Sequence, residues 1–330
     1  MTQNEDNKHL IKIEEVYDLL HDFLNLSDKI ALKHPNIVVI LMHEYFRSMY
    51  PTDPFISDKY AKDPLSNIYK CLENNISIIK KFNNVGSYYS KINNIKVHKK
   101  NSKDNISVMS NLFGALWEER YKEQMLHSEK VIKDLFTYND LNLENIIKNK
   151  RVIDIGCGSG RFSIALAKMG AKEVKAVDIN LQGLELAKKY AGDSNVNNVE
   201  FIHHNVLELP FGDEAFDFVF SKGVLHHTGD LKKGVHEYSR VLKKGGSGFL
   251  YLYANGGIYW YSRAKMRKIM KKIPMEYSIE VLRSIAMPSK RTIFVDSWYV
   301  PIEEYVKSDF IEKTFSNLKF KKIQRLKSNR

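Results

Sequence analysis

Val152-Ile153-Asp154-Ile155-Gly156-Cys157-Gly158-Ser159-Gly160-Arg161-Phe162 reads as a short apolar strand, a glycine turn and the start of a helix. The strand is placed at Arg151–Ile155 and the helix at Arg161–Met169. Glycines at 156, 158 and 160 let the backbone turn sharply and approach a ligand with no Cβ in the way. The helix N-terminus adds unsatisfied N–H groups and a partial positive charge. A dinucleotide-binding turn reads G-x-G-x-x-G, whereas here Arg161 stands where the third glycine belongs and the spacing is G-x-G-x-G. Asp154 also precedes the first glycine by two positions, where a carboxylate would repel a pyrophosphate. Both departures point to a cationic, amino-acid-bearing ligand.

The next strand, Glu173–Ile179, carries Asp178 about twenty residues further on. An acid at the end of a second strand can accept hydrogen bonds from both ribose hydroxyls of a nucleoside. Together the two strands describe a site for a nucleoside bearing a cationic amino-acid group, which is S-adenosylmethionine. Beyond them, strands at Val199–His203, Phe216–Ser221 and Gly248–Tyr253 alternate with helices at Leu181–Tyr190 and Leu231–Leu242. That alternation predicts βαβ units, a parallel sheet and helices on both faces. Ligands bind at the carboxyl edge of such sheets.

On the amino-terminal side, residues 1 to about 84 read as a helical module. Ile13, Val16, Leu19, Leu20 and Phe23 fall at helical spacing. A second helix follows Pro35 and ends before Pro51-Thr52-Asp53-Pro54. A third starts at Asp63-Pro64, with Asp63 as N-cap. Asn83–Asp104 reads as a connector with a short hairpin at Ile92–Val97, and Asn111–Leu135 returns to a helical pattern. The expected division is therefore residues 1–110 as helical module and connector, and 111–330 as an α/β domain. That domain has its core at 151–253 and an acceptor-side insert at about 254–300.

These motifs resemble the class I S-adenosylmethionine-dependent methyltransferase superfamily, and most closely its branch acting on ubiquinone- and menaquinone-type or natural-product small molecules. Asp154 to Gly160 is similar to the family's first motif, and Asp178 to its ribose-binding acid. His204-Asn205-Val206-Leu207-Glu208-Leu209-Pro210-Phe211 is similar to the loop that brackets adenine, with Asn205 where the family usually has Asp. Phe216–Ser221 resembles the fourth strand and Val224-Leu225-His226-His227 the segment after it. Arg240–Gly246 resembles the turn into the fifth strand, with Lys244 at a usual proline position. The resemblance covers about residues 111–326. It implies a Rossmann-like sheet and cofactor contacts from Asp154, Gly156, Cys157, Gly158, Gly160, Asp178, Ile179, Asn205, Val206 and Ser221, with no metal. The family sheet closes with two further strands, the last antiparallel. Here a helix at Ile302–Leu318 leads to a single expected strand, Phe320–Leu326.

Methyl transfer from a sulfonium needs an acceptor held in line and, for a hydroxyl or amine, a base to remove the proton. His227 is the first candidate base and His226 the second. Ser221-Lys222-Gly223-Val224 is not the Asn/Asp-Pro-Pro-aromatic sequence of amino-methylating enzymes, and no Pro-Cys pair is present for attack on a pyrimidine ring. Both point to a small-molecule or lipid-like acceptor. The aromatic segments Phe113–Trp117 with Tyr121, and Tyr253–Tyr261, are expected to line its pocket.

Hydrophobic residues at 43% and charged residues at 27% fit a folded chain with a real core. The net charge of +12 and pI of about 9.3 admit an RNA or protein acceptor as an alternative. The lysines are scattered along the chain rather than gathered in one block, so nucleic acid is not favoured. A catalytically silent scaffold that keeps the ligand is a third reading. Arg263–Lys272 sets basic residues around Met266, Ile269 and Met270, which admits peripheral contact with an anionic membrane. Two cysteines, Cys71 and Cys157, a polar start at Met1–Lys8 and an apolar run no longer than Ile37–Met42 read as cytoplasmic. The sequence carries no signal for oligomeric state.

Overall fold

A parallel five-stranded sheet runs in the order β3-β2-β1-β4-β5. Its strands are β1 (Arg151–Ile155), β2 (Glu173–Asp178), β3 (Val199–His203), β4 (Phe216–Lys222) and β5 (Leu242–Tyr251). The structure is a computed structural model and describes residues 11–49, 64–89, 127–285, 294–295 and 297–327. The chain therefore adopts the expected Rossmann-like α/β architecture. β1 lies between β2 and β4, with Asp154 in register with Ala176 on one side and Phe220 on the other. The chain winds outward from β1 through β2 to β3, then crosses back to β4. That reversal falls between β1 and β4, and in open α/β sheets ligands bind at the carboxyl ends of the strands at such a point.

Both faces of the sheet are covered, which is why its strands read as near-continuous apolar runs. On one face a helix over residues 127–137 (α4), α5 (Leu143–Ile147) and α6 (Arg161–Lys168) pack Ile132, Phe136, Ile147 and Leu166 on Val152, Val174, Phe218 and Phe249. Further along the sheet, α7 (Leu181–Asp193) sets Leu184 against Ala176. On the other face α8 (Leu231–Arg240) and a helix at Ser308–Asn317 bring Val235, Tyr238 and Phe315 against Ile153, Val177 and Val219.

Two compact units emerge. One combines Met1–Lys100 with Gly256–Tyr299; the other combines Asn101–Asn255 with Val300–Asn329 and holds the sheet. Residues 256–299, expected as an insert of the sheet domain, thus belong with the amino-terminal helices. In that unit α1 (Ile13–Ile30) buries Val16, Leu20, Phe23 and Leu24 at helical spacing, and α2 (Pro35–Ser48) starts at its proline. α3 (Pro64–Tyr89) adds Ile68, Leu72, Ile76 and Ile79. Against these lie α9 (Gly257–Met270) on α1 and α10 (Met275–Ile285) on α2. The Tyr45 hydroxyl is 2.7 Å from Ser262 Oγ, and Lys272 Nζ is 2.5 Å from the Asp28 carboxylate.

That packing accounts for the apolar face of Arg263–Lys272 within its own unit. Met266, Ile269 and Met270 are buried. Arg263 and Arg267 are internal too, donating to Ser297 Oγ at 2.8 Å and to Ser297 O at 3.3 Å. The apolar stripe is a core seam of the helical unit. Among the described residues no helix is long and apolar enough to cross a membrane.

The carboxyl end differs from expectation. The helix placed at Ile302–Leu318 begins only at Ser308. Residues before it stay extended because their backbone groups are used by the sheet unit. Glu304 N donates to His226 O, Val306 N to Tyr253 O, and Asn255 N to Val306 O. Phe320–Leu326 forms no strand. Phe320 packs beside Phe315 with ring centroids 4.7 Å apart, and Lys327 N donates to Asn139 Oδ1 at 2.7 Å. Side-chain docking replaces a ladder there. β5 also starts earlier than expected, with pairing that jumps from Phe216↔Leu242 to Phe218↔Ser247. The residues between bulge outward through Gly245, whose φ is +77°. The hairpin at 92–97, the turn at 51–54 and the N-cap at Asp63 lie outside the described residues.

Candidate functional site

The turn after β1 is held by the end of β2. Gly156 N and Cys157 N both donate to Val177 O, at 2.8 and 3.0 Å. Gly156, Gly158 and Gly160 all take positive φ (+77°, +56° and +75°), a conformation that glycine adopts without a Cβ penalty. Asp178 completes the anchor: its Oδ2 accepts from Gly158 N at 2.8 Å and its Oδ1 from Asn180 N at 2.8 Å. Asn180 in turn caps α7 by accepting from Gly183 N. The acid assigned to ribose binding therefore also shapes the glycine turn, and a carboxylate has lone pairs for both tasks.

Beyond the sharp turn that their positive φ allows, two of the glycines meet a steric demand from the protein itself. A Cβ on Gly156 would lie 2.3 Å from Val224 Cγ2, and one on Gly160 would lie 2.6 Å from Ala187 Cβ and 2.7 Å from Phe201. Protein side chains fill those two spaces: Val224 seals the gap between β1 and β4, and α7 closes on the turn.

Asp154 is 2% exposed and its Oδ2 accepts from Ser163 Oγ at 2.6 Å. Burial pushes its carboxyl up to about 7; the Ser163 hydrogen bond lowers it, Asp178 raises it further and Arg161 opposes that rise. Asp178 is likewise raised, chiefly by burial, against backbone N–H donors that favour its charge. A buried carboxyl and a half-buried one beside the same turn make an electronegative cradle. A ligand bringing a positive charge and hydroxyl donors would stabilise it. Sequence reasoning missed Ser163, a polar residue on a helix face that otherwise packs inward. That misfit was its one signal.

The remaining candidates divide. Ile179 is 40% exposed next to Asp178, an apolar surface suited to a purine ring. Asn205 is exposed, and its Oδ1 accepts from Leu207 N at 2.9 Å, closing a local turn in the loop expected to bracket adenine. Val206 is buried in the core, and the Cys157 side chain packs with Ala176 and Leu184; each brings only backbone to the loop surface. Burial holds the Cys157 thiol well above its ordinary value. Ser221 Oγ donates to Ile155 O at 3.0 Å, lacing β4 to β1. Arg240 steadies the loop after β3: its guanidinium pairs with Glu237 and donates to Phe211 O at 2.7 Å, while Glu237 accepts from Leu209 N.

Both histidines lie in the 3₁₀ turn Leu225–His227 and are buried, not open as a base in a pocket was expected to be. The His226 ring lies 3.9 Å from the Tyr253 ring and 4.1 Å from His227, centroid to centroid. His227 Nδ1 donates to Ile302 O at 2.7 Å. Of the second aromatic segment, Tyr253 joins this cluster. Tyr259 packs on Phe46 and Tyr261 on Tyr17 in the helical unit instead. Phe113–Trp117 and Tyr121 lie outside the described residues.

Residues 153–250 match the family model of a methyltransferase domain. A demethylmenaquinone methyltransferase of Bacillus velezensis is 29% identical over 143 residues, which is 38% of this chain and 61% of that protein. The uncharacterized methyltransferase YcgJ of Bacillus subtilis is 36% identical over 96 residues, 29% of this chain and 38% of YcgJ. The crystal structure of YcgJ aligns with a TM-score of 0.37 at 23% identity, covering 53% of this chain and 64% of that one. The chain thus spans under two thirds of the length of these relatives. Over residues 153–250 the chain is similar to S-adenosylmethionine-dependent methyltransferase domains. The cradle of Asp154 and Asp178 fits S-adenosylmethionine.

Proposed function

We propose that this chain transfers the methyl group of S-adenosylmethionine to a small-molecule or lipid-like acceptor. The observation that carries the reading is the pair of carboxyls at the glycine turn, Asp154 buried on β1 and Asp178 half-buried and bound to Gly158 N. Asp178 would take the ribose hydroxyls, Asp154 the ammonium group, and Ile179 would offer its apolar surface to adenine. When bound, the cofactor supplies an electrophilic methyl and leaves as a neutral thioether, so no leaving anion needs stabilising. The protein's work is alignment and, for a hydroxyl or amine, removal of a proton. His227 is the candidate for that role although it is only 7% exposed: donation from Nδ1 to Ile302 O puts the neutral ring's lone pair on Nε2.

The acceptor class follows from the absence of amino-methylating and pyrimidine-attacking motifs, and a relative's name, demethylmenaquinone methyltransferase, points the same way. The alternative RNA or protein acceptor rests on net charge. Against it, many lysines are neutralised locally: Lys133 by Glu129 and Glu144, Lys233 by Glu208, Lys243 by Asp217, Lys244 by Glu214. Cys71 and Cys157 are both thiols, in keeping with a cytoplasmic setting.

Calorimetry with S-adenosylmethionine tests the reading. Micromolar binding is expected, and Asp178→Ala should weaken it at least tenfold, about 1.4 kcal/mol. Equal affinity in the variant would remove Asp178 from the site.

A further inference from the structure

We infer that seating a cationic ligand group at Asp154 expels the proton of its carboxyl to solvent, and that Ser163 is the positioning residue that orients this carboxyl for the exchange. The inference rests on the cofactor reading above and adds to it a proton and a residue.

Asp154 is enclosed. Its neighbours across the sheet are Ala176 and Phe220, and 2% of its surface is exposed. In such surroundings the charged form is disfavoured unless a partner compensates. The groups that face it have mixed effects. Asp178, from the end of β2, opposes its charge; Arg161, from the first turn of α6, favours it; the Cys157 thiol, in the loop, stays protonated. His203, at the end of β3, acts on Asp178. The balance leaves the Asp154 carboxyl at about 7, so both protonation states are within reach.

Ser163, itself fully buried, suits a carboxyl that changes state. A hydroxyl donates to a carboxylate and, after rotating, accepts from a carboxylic acid; a backbone N–H can only donate. At 2.6 Å it pins one oxygen in either state and leaves the other to the ligand. The balance is simple. A protonated carboxyl and an ammonium ligand become a carboxylate–ammonium pair plus one proton released to solvent, with no covalent bond formed or broken besides the acid's O–H.

Two consequences separate this from a purely structural role. Affinity for a ligand that stays cationic should rise with pH below the midpoint and level off above it. The proton released should also be countable.

Calorimetric titration of the full chain with S-adenosylhomocysteine between pH 5.5 and 8.5, in buffers of different ionisation enthalpy, reads both. The wild-type chain should release close to one proton at the acid end and almost none at the alkaline end. Affinity should gain about tenfold for each step of one in pH below the midpoint. Asp154→Asn should bind more weakly and lose the slope. Asp178→Asn should bind more weakly and keep it. Ser163→Ala should move the midpoint to higher pH, because a donor to the carboxylate is gone, and Ser163→Thr should restore it. If Ser163→Ala does not fold, Ser163→Thr and the Asp154→Asn slope still decide. Binding without proton release, or a slope that survives in Asp154→Asn, overturns the inference while leaving the cofactor reading standing. A wild-type chain that binds at no pH overturns the cofactor reading itself, and this inference with it.

Discussion

Asp154 carries a stability consequence that can be read without any ligand. Its folded value, about 7, lies above the ordinary 3.8, so the fold holds this proton more tightly than the unfolded chain does. Below about pH 4 both states are protonated and the group is neutral in the balance. Between pH 4 and 7 the unfolded state increasingly gains by ionising, and above 7 the full penalty is present. Asp154→Asn should therefore raise the Tm of the chain alone at pH 8. The gain is worth a few kcal/mol at most, since each tenfold difference in proton affinity between the folded and unfolded chain is worth about 1.4 kcal/mol. It should vanish near pH 4. A Tm difference that does not change with pH would show that the carboxyl is not buried as described. His227 yields a second expectation at this scale. His227→Ala should keep cofactor affinity and lose turnover by about 10²–10⁴ once an acceptor is in hand. Full turnover in the variant would leave a reaction that needs no base.

The turn between β1 and α6 concentrates constraint in a few residues. Gly156→Ala meets two obstacles: a φ of +77° and the Val224 methyls, the nearer 2.3 Å from the new Cβ. The first is strain that only glycine avoids, about 1 kcal/mol or more; the second is overpacking of about 1–3 kcal/mol. Urea denaturation should register a loss of about 2–4 kcal/mol in sum. Adding Val224→Ala to Gly156→Ala should recover the steric part and leave the strain. A neutral Gly156→Ala would mean that the turn is not built this way. β1, β2, β3 and β4 were legible because short apolar runs, each running into Gly, Asp, Asn or Ser, announce parallel strands whose loops gather at one edge. The extended path of residues 302–306 was not, since Glu304 and Val306 satisfy their N–H groups on His226 and Tyr253, far away in the chain. An amphipathic pattern there lost to tertiary pairing.

At the scale of the whole chain, the helical unit is assembled from two distant segments, and each needs the other. α9 and α10 bury Met266, Ile269, Met270 and Leu282 with α1 and α2 as their partners. Deleting residues 1–100 alone should leave that apolar surface bare and produce a chain that binds a hydrophobic dye and aggregates. Deleting 1–100 and also replacing 256–299 by a short flexible linker removes the whole unit. Asn255 is already bonded to Val306 in the sheet unit, so the ends to be joined are tethered close together. This double deletion should stay monodisperse and keep cofactor binding, as size-exclusion chromatography and calorimetry would show. Aggregation of the double deletion with no difference from the single one would argue that the two units do not fold separately.

Residues 151–222 could be read from sequence almost element by element. What defines them is local: alternation of apolar runs and helical stripes, glycines that admit positive φ, and acids placed at strand ends. The cofactor class was legible for the same reason, since Asp154, the glycine turn and Asp178 sit at fixed spacings along one βαβ unit. Tertiary structure alone decided where residues 256–299 belong, because their apolar faces match partners more than two hundred residues away in the chain. It also decided that Val224, Ala187 and Phe201 occupy the space two glycines leave, that Ser163 meets Asp154, and that Ile302 fixes which nitrogen of His227 carries the proton. Each of these depends on two surfaces meeting across the fold, and neither surface encodes the other.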